Sequence, residues 1–346
     1  MNDQVTVPAG ELRGLAAAAL TAAGAQAGHA AATADVLVES DLLGIATHGV
    51  QRLASYCQRL RQGGIKAAAR ITVERKAPSL ALVDGDSALG QAVATTALEC
   101  GLEMTAETGI AYVGCCNSNH LGALAPYALK ACERGFLLIG GSNAASTMAP
   151  WGGREARLGN NPLSIAAPCP EPPHFILDMA MSVAARGRVR RAEREGTPIP
   201  EGWALDPEGR PTTDPAAALA GFLLPFGGHK GSGLSQAIDL LAGVATGARF
   251  LTGLSSGIGH PERPSGSGHF FVLLDPDRLI GAETYAAAAA RFRRLVQETP
   301  PADPAAPVRI PGQRQQAHRA KALDHGIVLP RDLLAEIEAL TAGASD

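Results

Sequence analysis

The chain has 346 residues, 46% of them hydrophobic and 18% charged, with a formal net charge of -3. That length excludes a single small core and fits two domains, or one large α/β body with an appended helical part. Acidic and basic residues are mixed along the chain, which excludes the basic patch or stripe of a nucleic-acid binder.

Residues 9–43 predict two helices broken around Gly24–His29, with Thr33 as N-cap of the second. Leu53–Arg61 continues as a helix that Gly63-Gly64 ends. The pattern then changes. Ser79–Val83 reads as a strand closed by Asp84-Gly85, Ala92–Thr108 as a helix and Ile110–Cys115 as a strand. Gly122–Arg134 is helical and Phe136–Gly140 is a buried strand. Leu163–Ala167 and Phe175–Leu177 predict further strands, and Ser182–Glu195 a helix. Residues 196–231, rich in Pro, Gly and Asp, read mostly as a long loop. Gly233–Thr246 is helical, His269–Leu274 a strand and Thr284–Gln297 a helix. Pro300–Pro307 reads as an extended linker, and a short helix Arg331–Leu340 closes the chain. Helices at both ends around an α/β centre predict a mainly helical discontinuous domain, 1–75 plus 300–346, and an α/β domain, 76–299.

No window of eighteen uninterrupted apolar residues exists, so no membrane span is expected. Asp3 and Glu11 stand where a signal peptide carries its basic residues, and the six cysteines follow no metal or disulfide spacing. A reduced, cytoplasmic protein is the expectation. No histidine falls in H-E-x-x-H, so no metal site is expected. The basic run Arg186–Arg194 is interleaved with Glu193 and reads as a solvated helix face.

Three segments carry chemistry. In Asp41–Arg52 (DLLGIATHGVQR), Thr47-His48 forms a possible hydroxyl–imidazole relay, and one further helical turn puts the Arg52 guanidinium on the same face. That planar fork matches a substrate carboxylate. By itself the segment also reads as a helix end at Gly44 with a lone histidine and a solvated arginine. Asn117–Gly122 (NSNHLG) follows a strand and precedes a helix, where α/β proteins place ligands. His120 is its imidazole, and amides of a helix start at Gly122 would suit a phosphate. The same residues also make a plain polar turn. Asp178-Met179-Ala180 ends another strand, where Asp178 either bonds a ribose or nicotinamide amide or caps a helix. Gly227–Gly233 (GGHKGSG) is not a P-loop, because His229 precedes Lys230 where a glycine is required. It still offers one cation at a helix start, suited to a phosphate or carboxylate. No segment gives G-x-G-x-x-G.

In order along nearly the whole chain, DLLGIATHGVQR, NSNHLG, GNNPLSIAAP, LDMAMSVAARGRV, IPEGWALDPEGRPTTDP, LLPFGGHKGSGLS, GHFFVLLDP and RIPGQR resemble the malate/L-lactate dehydrogenase-like family of NAD(P)-dependent oxidoreductases. The resemblance implies a non-Rossmann α/β fold, with a mixed-sheet cofactor domain packed on a mainly helical domain made from both chain ends. It implies a homodimer and an active site in the cleft between domains. It implies hydride transfer between NAD or NADP and a small 2-hydroxy/2-oxo carboxylate, or alternatively reduction of a cyclic imino acid. A non-catalytic cofactor-binding homologue is a third, weaker reading. Carried over residue by residue, His48 and His120 become acid–base candidates with Thr47 holding His48, and Arg52 binds the carboxylate. His120, Gly122, Asp178, Met179, Ala180, His229, Lys230, Pro311, Gly312 and Gln313 become cofactor contacts. Thr47 and Gln313 depart from the family's usual Ser and Glu. Arg188, where hydroxyacid enzymes often carry Lys and imine reductases Asp, leans toward an acidic substrate.

Overall fold

The computed structural model describes residues 3–342. Its helices are α1 (Ala9–Ala22), α2 (Ala27–Leu42), α3 (Leu53–Gln62), α4 (Gly90–Thr108), α5 (Ala125–Glu133) and α6 (Arg186–Glu195). They continue with α7 (Pro215–Ala220), α8 (His229–Asp239), α9 (Pro276–Ile280), α10 (Ala282–Gln297), α11 (Gln313–His325) and α12 (Arg331–Ala342). The strands are β1 (Gln4–Val7), β2 (Thr72–Ala77), β3 (Leu80–Asp84), β4 (Ile110–Ser118), β5 (Leu137–Ser142) and β6 (Leu163–Ala167). After them come β7 (Phe175–Met179), β8 (Ala204–Leu205), β9 (Pro211–Thr212), β10 (Phe222–Leu223), β11 (Ser267–Leu274) and β12 (Ile327–Pro330).

Seven strands form one mixed sheet in the order β2-β3-β4-β11-β5-β6-β7. Among the described residues β3–β4 is its parallel pair, and every other neighbouring pair is antiparallel. A crossover through α4 joins β3 to β4, and that long connection is what a parallel pair requires. Strand side chains alternate between faces, so Leu138 and Phe271 enter a core with α4 and α5. The opposite face carries a row in register across five strands, Leu80, Tyr112, Val272, Ile139 and Ile165. Of these, Leu80, Ile139 and Ile165 are exposed.

The chain ends build a second core. β1 pairs with β12, and Val7, Leu12, Leu20, Leu37 and Leu53 pack with Ala322, Leu329 and Ile337. A third core underlies residues 148–270 on the other side of the sheet. β2 straddles the expected domain boundary at 75/76, and residues 1–2 and 343–346 of the expected helical part lie outside the described residues.

Most predicted elements recur within a few residues, and the exceptions have causes. Thr33 is a buried interior residue of α2, because the helix begins six residues earlier behind Gln26. α5 starts at Ala125 and not at Gly122: Gly122 has φ 89°, and Pro126 stands in the first turn. α6 likewise starts at Arg186. Within 196–231, a small β10-β8-β9 sheet and α7 replace much of the expected loop. Its two-residue strands are too short to leave a period. α11 escapes the pattern because only Gln316 and Ala322 of its thirteen residues are buried.

Candidate active site

A cavity of about 480 Å³ opens between the α2–α3 layer and the ends of β4, β5 and β7. One wall descends from the turn after α2. The helix does not run on there: it stops at Leu42, and two 3₁₀ turns, Ala46–His48 and Val50–Arg52, lead into α3. Asp41 ties that turn down, its Oδ2 accepting from the Val50 N–H at 2.8 Å. Gly49 is required beside it, since a Cβ there would overlap the Asp41 carboxylate. Burial pushes Asp41 up to about 7, against the lowering pull of the Val50 N–H.

On this wall Thr47 Oγ1 lies 3.0 Å from His48 Nδ1, and Arg52 Nε donates to the Thr47 carbonyl at 2.7 Å. The His48 ring stacks on His120, centroids 5.6 Å apart and planes 23° from parallel. Behind His120, the Tyr56 hydroxyl lies 2.7 Å from Nδ1. Each imidazole thus has one nitrogen held by a hydroxyl and the other left for a ligand, the arrangement a general acid–base needs. Burial, then the Arg52 charge, pushes His48 down to about 4. His120 is held well below the usual imidazole value by burial first, then by His48, Arg52, His269 and Arg59. Burial pushes the Tyr56 phenol up, so it stays protonated. Both histidines are neutral at pH 7.

The facing wall is made of small residues and backbone: Gly122–Ala125, Asn143–Ala145 and Asp178–Ala180. Asp178 caps a helix, though not the one that follows it in sequence. Its Oδ2 accepts from the Leu124 and Ala125 amides at the start of α5, at 3.1 and 2.8 Å. The amides expected to hold a phosphate are therefore already engaged by a carboxylate. Burial raises Asp178 to about 6, offset by those two N–H groups. Below the cavity His269 bridges Ser142 and Ser118, 2.8 Å from each hydroxyl, and burial pushes it down to about 3.

Thr47, His48, Arg52, His120, Gly122, Asp178, Met179, Ala180 and Gly312 all line this one cavity. Five expected contacts do not. Arg188 projects from α6 into solvent, its guanidinium 5.9 Å from the Trp203 ring centre. His229 and Lys230 are exposed in the first turn of α8. Pro311 is exposed, its carbonyl accepting from the Ile176 N–H, and only the adjacent Gly312 reaches the cavity. The Gln313 Oε1 is taken by Gln297 Nε2 and the Ile310 N–H. Sequence reasoning missed Tyr56 and Arg59, which follow Arg52 at four and seven residues on one face of α3. The same face count that picked Arg52 would have found them. Among the described residues no cluster of three His, Cys, Asp or Glu side chains is placed to hold a metal.

A family model described as malate/L-lactate dehydrogenase matches residues 7–338. The chain belongs to that family. It is 37% identical over 305 residues to an L-sulfolactate dehydrogenase of Methanothermobacter thermautotrophicus, covering 88% of this chain and 87% of that enzyme. It is 34% identical to a Δ1-pyrroline-2-carboxylate/Δ1-piperideine-2-carboxylate reductase of Pseudomonas aeruginosa, covering 95% of this chain and 97% of that one. The solved sulfolactate dehydrogenase of Methanocaldococcus jannaschii superposes with a TM-score of 0.90 at 32% identity, over 98% of this chain and 97% of that one. Family relatives at 35% and 33% identity are named for NADP+ and for NAD+.

Proposed function

We propose that the protein is an NAD(P)-dependent oxidoreductase that interconverts a small 2-hydroxy carboxylate and its 2-oxo acid, of the malate, lactate or sulfolactate kind. The observation that carries this reading is the convergence of Arg52 and two stacked, hydroxyl-tethered histidines on one cavity wall. When bound, NAD or NADP supplies or accepts hydride at the nicotinamide C4. The donor set of the opposite wall fits it. Alanines and Gly122 leave room for a flat ring, and the carboxylate of Asp178 with the Asn160 amide suits a carboxamide and ribose hydroxyls.

Arg52 holds the substrate carboxylate, which fixes the face that C2 presents. In oxidation the free nitrogen of His48 or His120 takes the hydroxyl proton, and in reduction it returns a proton to the carbonyl oxygen. Tyr56 and Thr47 hold the rings and select the nitrogen that faces the substrate. A substrate carboxylate on Arg52 cancels the charge that disfavours protonated imidazole, so substrate arrival raises the proton affinity of both histidines.

The mixed sheet is read here as a cofactor domain distinct from a doubly wound parallel one, and the helical layer of residues 1–75 and 300–346 as its cover. The antiparallel majority of strand pairs and the missing glycine fingerprint support this. The exposed apolar row on the outer sheet face supports a homodimer. Six unpaired cysteines, five of them buried, support a reducing, cytoplasmic setting.

The test is loss of NADH and NADPH absorbance against a panel of 2-oxo acids and cyclic imino acids. Turnover of an oxo acid is the expected result and names the cofactor. The Pseudomonas aeruginosa relative supports a second reading, imine reduction at the same arginine, and turnover confined to imines would establish it.

A further inference from the structure

Gln91 is a buried carboxamide whose hydrogen bonds are unspent. It stands in the first turn of α4 and is 0% exposed, and neither its Nε2 nor its Oε1 has a well-aligned partner. Burying both ends of an amide unpaired costs free energy that a methionine of similar volume would not. The place itself is apolar: Leu89 and Ala92, on either side of Gly90-Gln91, pack in one core with Leu53 and Tyr56. A polar side chain kept there against that cost points to a use.

The amide sits behind the catalytic wall. Gly90 presses on the loop of His120, where a Cβ would fall 2.3 and 2.4 Å from the Asn119 and His120 carbonyl oxygens. A Cβ on Gly122 would stand 3.7 Å from Gln91 Nε2. The polar group that the amide approaches is the Tyr56 phenol, itself buried and 2.7 Å from His120 Nδ1. Burial pushes that phenol up, while the Arg52 charge, an N–H from Gln91 and the Arg59 charge draw it back. A phenol has one proton to donate and an oxygen that also accepts. With an amide N–H against the oxygen, the proton is left for His120 Nδ1.

We propose that Gln91 is a positioning residue: its Nε2–H rests on the Tyr56 oxygen, points the phenol proton at His120 Nδ1, and so holds His120 in the tautomer with Nε2–H toward the cavity. This rests on the acid–base reading of His120 given above and adds what sets its orientation. A neutral imidazole held this way polarises a substrate carbonyl through Nε2–H. As C2 gains hydride, Nε2 passes its proton to the carbonyl oxygen and Nδ1 takes the phenol proton, so the ring stays neutral. The negative charge then lies on the Tyr56 oxygen, beside Gln91, Arg52 and Arg59, until water returns a proton to it. Oxidation runs the same proton shifts backwards.

The tautomer is read by proton–nitrogen correlation NMR on the full chain carrying isotopically labelled histidine. The His120 signals are those that a His120→Gln variant lacks. The natural chain is expected to hold His120 as Nε2–H. Gln91→Met keeps the volume and removes the amide, and is expected to give a mixture of the two tautomers. It should also lower kcat about 2- to 13-fold, the net worth of one neutral hydrogen bond, with KM within about twofold. Its Tm should hold or rise, because the unpaired amide is gone. Should Gln91→Met fail to fold, Gln91→Asn, which draws the amide back by one carbon, is expected to give the same mixture. Nδ1–H in the natural chain overturns the proposal. A folded variant that loses Tm but keeps unmixed Nε2–H makes Gln91 a strut and overturns it too. The NMR needs no turnover: a chain with the expected tautomers that reduces no oxo acid keeps the role of Gln91 and loses the hydride-transfer reading.

Discussion

Two helices of this chain are rich in arginine, and they use it in opposite ways. α3 (LASYCQRLRQ), entered through Arg52, turns Tyr56 and Arg59 toward a cavity, while α6 (RGRVRRAERE) exposes Arg188, Arg191 and Arg194 to water. Composition does not separate them. Their apolar stripes do: Leu53, Tyr56, Cys57 and Leu60 of α3 are buried, against Val189 alone in α6. Four anchors fix the rotation of α3 and hold its polar face against the sheet ends. One anchor leaves α6 free to solvate its charges, with Arg188 resting on Trp203 and Arg191 paired to Glu195. An arginine's role is set by what its neighbours three and four residues away bury.

The strongest way to break the comparison is to remove the groups beside Arg52. His48→Ala and His120→Ala are each expected to lower kcat by about 10²- to 10⁴-fold, with nicotinamide binding by fluorescence nearly intact for the true acid–base. If both variants turn over normally, the acid–base assignment is wrong. Arg52→Gln comes next, with kcat/KM expected to fall about 10- to 150-fold through loss of a charged hydrogen bond. A pH signature accompanies it. His48 sits at about 4 partly because of the Arg52 charge, and reduction needs its protonated form. Removing the charge raises that value, so the descending limb of reductive kcat/KM moves to higher pH. An unmoved limb assigns the proton elsewhere.

A smaller effect concerns stability. His269, at about 3 in the folded chain against an ordinary 6.5, holds fewer protons folded than unfolded. It thus contributes stability that is present above about 6.5 and drains away as pH falls toward 3. His269→Asn is expected to flatten the fall of Tm between pH 6.5 and 4 while lowering Tm at pH 7, because the bridge to Ser118 and Ser142 is weakened. A melting curve with undiminished acid dependence refutes this. The smallest effect belongs to α6: Arg188→Gln should leave kcat/KM within about twofold, as exposed substitutions do. A loss comparable to that of Arg52→Gln would put the substrate at α6 and erase the distinction between the helices.

The sequence made the sheet strands legible because alternation and glycine punctuation are local signals, as at β6, whose bounds match the prediction. It made Thr47, His48, Arg52, His120 and Asp178 legible because their residue types are chemically conspicuous. What it hid depends on contacts far apart in the chain. β1 and β12 exist through each other, 326 residues apart at Gln4 and Pro330, and each is only four residues long. Lys230 lies outside the cavity, and the sequence carries no record of which way a helix start faces. His269 read as an ordinary strand residue, since the serines that bracket it lie on neighbouring strands.

The pairing of β1 with β12, reinforced by the Arg331–Asp3 ion pair, orders events during synthesis. The layer that carries His48 and Arg52 packs in one core with residues near the carboxyl end. On the ribosome that core stays open until Ile337 has been translated, while the central sheet already has all its strands by Leu274. A chain that stops before Ala322 would keep the cavity wall of Gly122 and Asp178 and lack the packing that seats the turn of His48 and Arg52. Prematurely terminated product is thereby denied chemistry, whatever it binds.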